Sequence, residues 1–267
     1  MALTLTYLGD LSRVRLTADS LGASATRAMV ERSPDGSVWE AVRGGVRRLI
    51  VGGELVMDDY EFLANQPTYY RVTSYDDSDV EQAQFTASIT VNLDTVWLKS
   101  IRYPMLNTAV RVADFGDVDQ VSRVELHSVA GRSLPVGTAD IPTGRAWTLE
   151  LVTRTREEEA RVGLVLRVSS LIFLHVPTVG NLSLLPGSMH AAVGSVVQHR
   201  IGGVSDWVSW QVPLSAVAPP SPLIVGTTLT WETVRRLWGS WTALRSDAAT
   251  WQALRDVIGE PIDLEVH

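Results

Sequence analysis

The stretch GRAWTLELVTRTREEEARVGLVLRVSSLIFLHVP, residues 144–177, changes its periodicity twice, and these changes decide the predicted fold. Its first part alternates, with Trp147, Leu149 and Leu151 on one face, which is typical of a strand buried on one side. Its end, LIFLHVP from Leu171, is an apolar run with the length of a buried strand. Two predicted strands therefore enclose a segment of different character.

The enclosed segment carries the signals of a helix. Thr155 is a candidate N-cap, and three consecutive glutamates follow in the first turn, where a hydroxyl oxygen and negative charge suit the amide end of a helix. Val162, Val165 and Leu166 then recur at helical spacing. One helix is predicted here, within residues 155–170.

The regions on either side of this stretch add further strands. Pro104 and Asn107 interrupt the first of them, which predicts a strand, a loop and another strand, and Ala130-Gly131 marks the turn of a hairpin. The quoted pieces are DTVWLKSIRYPMLNTAVRV (94–112), SRVELHSVAGRSLPVGTAD (122–140), HAAVGSVVQHR (190–200) and WVSWQVPLSAV (207–217).

Residues 1–92 alternate polar and apolar side chains in several short runs. The quartet SPDG, residues 33–36, suits a type I turn because Pro stands second and Gly fourth. Short alternating runs with turns between them favour an antiparallel sandwich. The runs are RVRLTA (13–18), RAMVERS (27–33), VWEAVRGG (38–45), YYRVTSY (69–75) and QFTASITVNL (84–93).

This region resembles a fibronectin type III module. The resemblance rests on Trp39 after the SPDG turn and on DDYEFLANQPTYYRV (58–72), in which Leu63, Pro67 and Tyr70 fill the family's Leu, Pro and Tyr places, one residue further apart than usual. It implies a scaffold in which the Tyr70 hydroxyl bonds back to the backbone at a corner. Core and corner packing is accordingly the interpretation of the aromatic side chains Trp39, Tyr60 and Tyr70.

Composition and charge exclude several classes of protein. The chain has 267 residues, a formal charge of −7 and no cysteine, which argues against a nucleic-acid protein and against disulfides or thiolate metal sites. A dense basic cluster, Arg43, Arg47 and Arg48, is interpreted as a solvated turn rather than a phosphate clamp. No apolar run reaches the ~18 residues of a membrane span, and the first residues lack the features of a secretion signal.

The sequence offers no catalytic pattern. Its five histidines form no metal-hydrolase pair, and it contains neither a nucleophile elbow nor a phosphate-binding loop. No catalytic, cofactor-binding or metal-ligating residue is therefore predicted, and the protein is not expected to be an enzyme. A glycosidase carboxylate pair stays open as an unspecific alternative, because 30 acidic residues permit it. His175, within an apolar strand, is interpreted as a satisfied core or interface histidine.

The segment TWETVRRLWGSWTALRSDAATWQALRD, residues 230–256, repeats Trp at intervals of ten. Ten residues turn a helix by about 1000°, so these tryptophans cannot share one face, and Gly239 further argues against one helix. Three short helical turns are predicted instead, each begun by a hydroxyl N-cap. The predicted caps are Thr230, Ser240 and Thr250.

We interpret this Trp repeat as a docking element, because Trp is favoured at the centre of protein interfaces. A carbohydrate platform and an amphipathic membrane hook are the alternatives, and acidic Glu232, Asp247 and Asp256 oppose the membrane hook. The preceding APPSP, residues 218–222, reads as a stiff connector. The predicted interface residues are Trp231, Trp238, Trp241, Leu244, Trp251 and Leu254.

The order strand, turn, strand, alternating strand, Glu-rich helix and apolar strand resembles the second domain of minor tail or distal-tail proteins at the tail tip of long-tailed actinobacterial phages. The resemblance implies a split β-barrel of tail-tube type with one helix, in which edge strands of neighbouring copies pair around a ring. It spans nearly the whole chain, but distal-tail proteins usually begin with the barrel. The resembling pieces are VWLKSIRYPMLN (96–107), GRSLPV (131–136), RAWTLELVTRT (145–155) and LIFLHVP (171–177).

The expectation is a mainly β chain in three parts: a fibronectin type III-like sandwich over 1–92, a split β-barrel-like domain over 93–217, and a Pro-rich linker with a short-helix docking tail over 218–267. The resemblance implies a non-enzymatic virion component, assembled in the bacterial host cytoplasm as a homo-oligomeric ring. Its partners would be the tail tube, the hub and copies of itself, without cofactor, nucleic acid or membrane insertion. A carbohydrate- or receptor-binding module that contacts a host glycan is the alternative.

Overall fold

The computed structural model describes residues 3–120, 122–141, 144–202, 205–226, 229, 231–248, 250, 253–254 and 257–258, with backbone alone at 183, 184 and 232. The chain is mainly β, with 43% strand and 14% helix. The predicted fold class is confirmed at this level.

Eight strands before residue 92 form two antiparallel sheets. One sheet has the order β1-β2-β6, and the other has the order β4-β3-β7-β8, with β5 also paired to β3. The strands are β1 (Leu3–Leu8), β2 (Arg13–Ala18), β3 (Arg27–Ser33), β4 (Glu40–Ala41), β5 (Arg48–Leu49), β6 (Leu55–Asp59), β7 (Pro67–Tyr75) and β8 (Glu81–Thr90).

The two sheets share one apolar core and so form a sandwich. Leu16 and Met57 come from the first sheet, and Val30, Tyr70 and Val72 come from the second; all five are buried in the same cluster. Each strand alternates, so its other face is left for solvent. The alternation of polar and apolar residues in the sequence therefore arises because one face of each strand packs in the sandwich core.

Two aromatic predictions for this region need correction. The Tyr70 hydroxyl donates a hydrogen bond of 2.8 Å to Asp59 Oδ2, not to the backbone. Trp39 lies outside the core cluster, half-buried, with the Arg71 guanidinium 4.4 Å from its ring centroid. For Tyr70 the physical reason is that the buried carboxylate of Asp59 is a stronger hydrogen-bond acceptor than a neutral backbone carbonyl.

The strands after residue 92 include a closed antiparallel barrel of six, in the order β13-β10-β9-β14-β15-β17, closed by pairing of β17 with β13. The short strand β16 continues along β17 beyond β15. The strands are β9 (Val96–Ser100), β10 (Thr108–Phe115), β11 (Val124–His127), β12 (Val136–Ala139), β13 (Ala146–Thr153), β14 (Leu171–His175), β15 (Met189–Val193), β16 (Val197–Arg200) and β17 (Val208–Ala216).

Helix α1 (Arg156–Val168) joins β13 to β14 and packs against the barrel. Thr155 caps it, since its hydroxyl accepts a 3.2 Å hydrogen bond from Glu158 N, as predicted. Val162 and Val165 are buried in the barrel core, as expected from their spacing, together with Leu164. Two 3-10 helices, Pro104–Leu106 and Gly180–Leu184, complete the barrel connections.

The C-terminal region forms short helices rather than one long one. Helix α2 spans Trp231–Leu237 and α3 spans Trp241–Asp247, and Ser240 Oγ caps α3 by accepting from Ala243 N at 3.2 Å. Thr250 Oγ1 likewise accepts from Ala253 N at 3.1 Å. The third predicted cap, Thr230, lies outside the described residues.

The segment that leads to these helices lies against both parts of the chain. Gly44 N, in the sandwich, donates a 2.7 Å hydrogen bond to Pro222 O. A Cβ atom on Gly226 would stand 2.7 Å from Pro104 Cγ, beside the barrel. This close approach requires glycine. The segment therefore contacts both the sandwich and the barrel, whereas the sequence predicted only a stiff connector.

Candidate functional site

The helices α2 and α3 present an aromatic pair to solvent. Trp231 is 71% exposed and Trp241 is 63% exposed. Their ring centroids lie 6.2 Å apart with the planes at 77°, an edge-to-face contact. This geometry is favoured for aromatic pairs, and it leaves most of each indole uncovered.

The other predicted docking residues that the structure describes are less exposed than this aromatic pair. Trp238 is half-buried and donates from Nε1 to Asp247 Oδ2 at 3.0 Å, which ties the end of α2 to the end of α3. Leu244 is buried and Leu254 half-buried, so the predicted interface is reduced to the exposed indoles of Trp231 and Trp241. Trp251 lies outside the described residues.

The hairpin of β11 and β12 is a second uncovered apolar surface. Its register aligns Leu126 with Gly137 and Val124 with Ala139 on one face, opposite the polar face of the alternating strands. Leu126 is 65% exposed, and Leu134 in the turn is 76% exposed. An isolated two-stranded hairpin is marginally stable in water, so this apolar face is suited to being covered.

A buried polar cluster lies between the sandwich and the barrel. The registers align Lys99 on β9 with Phe173 on β14, and Phe173 with His190 on β15. His175 shares this face because it lies two residues after Phe173. The intervening residues fill the barrel core. Lys99, His175 and His190 therefore occupy outward positions, and they are buried where the sandwich covers the barrel.

Lys99 attaches the barrel face to the backbone of the sandwich. Its Nζ donates to Ser12 O at 2.6 Å and to Tyr60 O at 2.7 Å, and it lies 4.7 Å from the Phe62 ring centroid. Burial lowers the pKa of Lys99 well below its usual value, with partial opposition from the nearby carboxylates of Asp59 and Glu61.

Glu61 is the anionic centre of this interface. Arg43 Nε donates to it at 2.8 Å, Arg32 Nη2 lies 3.5 Å away, and His190 Nε2 lies 3.3 Å away. Burial alone would raise the pKa of Glu61, but contact with His190 and the charges of Arg43 and Arg32 lower it to about 2. The carboxylate is thus ionised over the whole physiological range.

Arg43 corrects a prediction made from sequence. The sequence places Arg43 with Arg47 and Arg48 in a solvated turn. In the structure its side chain is nearly buried, and its Nη1 donates to Ile101 O at 2.6 Å, across the interface. Arg47 remains exposed and pairs with Asp79. The difference arises because Glu61, eighteen residues away in sequence, folds back onto Arg43.

A second buried ion pair, Arg32–Asp59, lies next to the Arg43–Glu61 pair. Arg32 Nη1 donates to Asp59 Oδ1 at 3.0 Å, and the same carboxylate accepts the Tyr70 hydroxyl. Asp59 and Glu61 thus share Arg32 between them. Burial raises the pKa of Tyr70 well above its usual value, and Asp59 adds to this shift.

His175 is buried without the partners that the sequence prediction assigned to it. Its ring lies 4.7 Å from Phe62 edge-to-face and 5.3 Å from Phe173. Neither ring nitrogen has a partner in hydrogen-bond geometry among the described residues. Burial, Lys99 and Arg32 lower the pKa of His175 well below its usual value, although a backbone group of Phe62 opposes the shift.

Two amide side chains also span the interface. Asn107 Nδ2 donates to Leu11 O at 3.1 Å, and its Oδ1 accepts from Ser100 N at 3.0 Å. Asn65 Oδ1 accepts from Thr178 N at 3.1 Å, while its Nδ2 donates to Leu93 O at 2.8 Å. These hydrogen bonds have fixed directions, and they set how the sandwich sits on the barrel.

No protein-family model matches the chain, and no curated protein matches it either. Its function is therefore argued from the geometry above.

The described residues do not gather the groups that a metal site needs. No set of three or more His, Asp or Glu among them could hold a metal ion. Within the same ranges, no helix is long and apolar enough to cross a membrane. Sequence reasoning found the Trp repeat but missed the interface cluster; its one available signal was polar Lys99 and His175 inside apolar strands.

Proposed function

We propose that this chain is a non-enzymatic structural component of a phage tail tip or baseplate, a minor tail or distal-tail protein that acts by assembling with other subunits. The observation that carries the proposal is the pair of apolar surfaces that the folded chain leaves uncovered: the Trp231–Trp241 pair and the β11–β12 hairpin. Contiguous exposed apolar surface on a folded protein marks an interaction site.

The architecture supports the resemblance noted in the sequence. A two-sheet antiparallel sandwich precedes a closed barrel whose helix follows β13 and precedes β14. The alternating strand, Glu-rich helix and apolar strand thus occur in the order on which the tail-tube resemblance rests. A closed barrel has few free edges. Pairing between copies would accordingly use the β11–β12 hairpin and the outer edge of β16.

The partners are other tail proteins: neighbouring copies in a ring, the tail tube and the hub. The place of action is the tail tip of the virion, with assembly in the bacterial host cytoplasm. The exposed indoles provide the energetic anchor, because Trp side chains bury a large area at a small number of rotatable bonds. No cofactor takes part.

Immunogold electron microscopy on particles from the source culture tests the place of action. Antibody to this protein should label one end of a tail; particles without label would sink the virion proposal. Sedimentation of the pure protein tests assembly. The wild type should form higher species with tail partners or with itself, and the pair Leu126→Ser and Leu134→Ser should lose them while retaining the far-UV spectrum.

A carbohydrate-binding module is the second candidate, favoured by the exposure of two neighbouring indoles. The rings cross at 77°, so they do not form one flat platform, and a sugar would stack on one ring at a time. Saturable binding to host cell-wall glycan, lost in Trp241→Ala and kept in Leu126→Ser, would favour this function over assembly.

A further inference from the structure

We infer that the sandwich and the barrel form an acid-releasable pair, in which protonation of His175 undocks the sandwich from the outer face of the barrel. The released form would be two folded bodies joined by the chain around residue 92, and release also breaks the hydrogen bond between Gly44 N and the Pro222 carbonyl. The proposal concerns conformation and does not depend on the tail-tip function.

The barrel side of the interface is compatible with both the docked and the released state. Lys99, His175 and His190 occupy outward positions of barrel strands, where polar residues ordinarily face solvent. The apolar core of the barrel lies on the opposite face of the same strands. Undocking therefore uncovers these polar groups together with Phe62 and Phe173, and it leaves the barrel core intact.

Charge is balanced at the buried centre. Two carboxylates, Asp59 and Glu61, face two guanidinium groups, Arg32 and Arg43. A proton on His175 has no carboxylate in contact, and Lys99 and Arg32 already disfavour it. The titratable and charged groups at this interface are Asp10, Arg13, Arg32, Arg43, Asp58, Asp59, Tyr60, Glu61 and Tyr70 from the sandwich, and Lys99, His175 and His190 from the barrel.

The stability of the docked state should fall as the pH falls. The docked state depresses the pKa of His175, whereas a solvated His titrates near 6.5, so the released state binds more protons. The His175 contribution to docking is complete above about pH 6.5 and declines as the pH falls, by up to about tenfold per pH unit for this one group. Lys99 acts in the same direction.

The chain has no cysteine, so two labels can be placed without background. Thr86→Cys on the sandwich and Ser170→Cys on the barrel are exposed sites. Spin labels there should give one narrow distance distribution at pH 8. At pH 5 a second, longer and broader population should grow, while the far-UV spectrum stays unchanged.

His175→Phe is the decisive variant, since Phe keeps the ring packing against Phe62 but takes no proton. It should remain docked at pH 5, whereas the matched His190→Gln should still open. A distance distribution in the wild type that is unchanged from pH 8 to pH 5 would overturn the proposal. So would equal opening in His175→Phe, or loss of the far-UV spectrum together with the distance change. Should His175→Phe fail to fold, NMR titration of the wild-type ring decides: titration near 6.5 without opening refutes the mechanism.

Discussion

Replacing Glu61 with Gln tests how much the ion pairs buried under the barrel contribute to the stability of the chain. The substitution keeps the shape of the side chain but removes its charge, which leaves Arg43 nearly buried and without its carboxylate. Removing one partner of a buried ion pair costs about 3–5 kcal/mol. We expect the lower end, about 3 kcal/mol, because Arg32 keeps Asp59 and Arg43 keeps the Ile101 carbonyl.

Urea unfolding at pH 7.5, followed by Trp fluorescence and by far-UV circular dichroism, measures this loss. With a slope of about 1–3 kcal/mol per M, the midpoint should fall by roughly 1–3 M. Asp140→Asn is the matched control, because the Arg123–Asp140 pair is 3.6 Å apart and well exposed, and it should cost below about 1 kcal/mol. A Glu61→Gln loss no larger than that of Asp140→Asn would refute the reasoning.

Three further predictions concern other parts of the molecule. Trp241→Ala should change the melting temperature of the chain little, because the indole is exposed, yet it should weaken self-association or partner binding in sedimentation; a large drop in melting temperature would contradict this. Thr155→Ala removes the cap of α1 and should cost about 1 kcal/mol in denaturant unfolding, with Thr155→Ser as the neutral control. Because the folded pKa of Glu61 is about 2, its stabilisation should be complete above the ordinary Glu value and decline as pH falls toward 2; acid titration of Glu61→Gln should lack this component.

Local pattern was sufficient for the elements whose signals lie within a few residues. The cap at Thr155, the hairpin turn at Ala130-Gly131 and the short C-terminal helices each depend on neighbours in the chain, and the structure has all three. Such features are decided by backbone geometry and local hydrogen bonds.

The interface could not be predicted in this way, because its partners are distant in sequence. Lys99 bonds to the carbonyl of Ser12, 87 residues earlier, and Arg43 bonds to the carbonyl of Ile101, 58 residues later. Nothing in the composition around these residues indicates which side chain will be desolvated. For the same reason the hydrogen-bond acceptor of the Tyr70 hydroxyl could not be predicted, because folding of the sandwich brings the Asp59 carboxylate next to it.

The closure of the barrel imposes an order on synthesis. The sandwich core is complete once Leu93 has been made, and domains generally fold as units during translation, the N-terminal one first. The barrel must wait for β17, because Ala146 pairs with Ser215 and no earlier strand can replace it. A sandwich that folds first presents the Ser12 carbonyl and Glu61 at the positions where Lys99 of β9 and His190 of β15 dock.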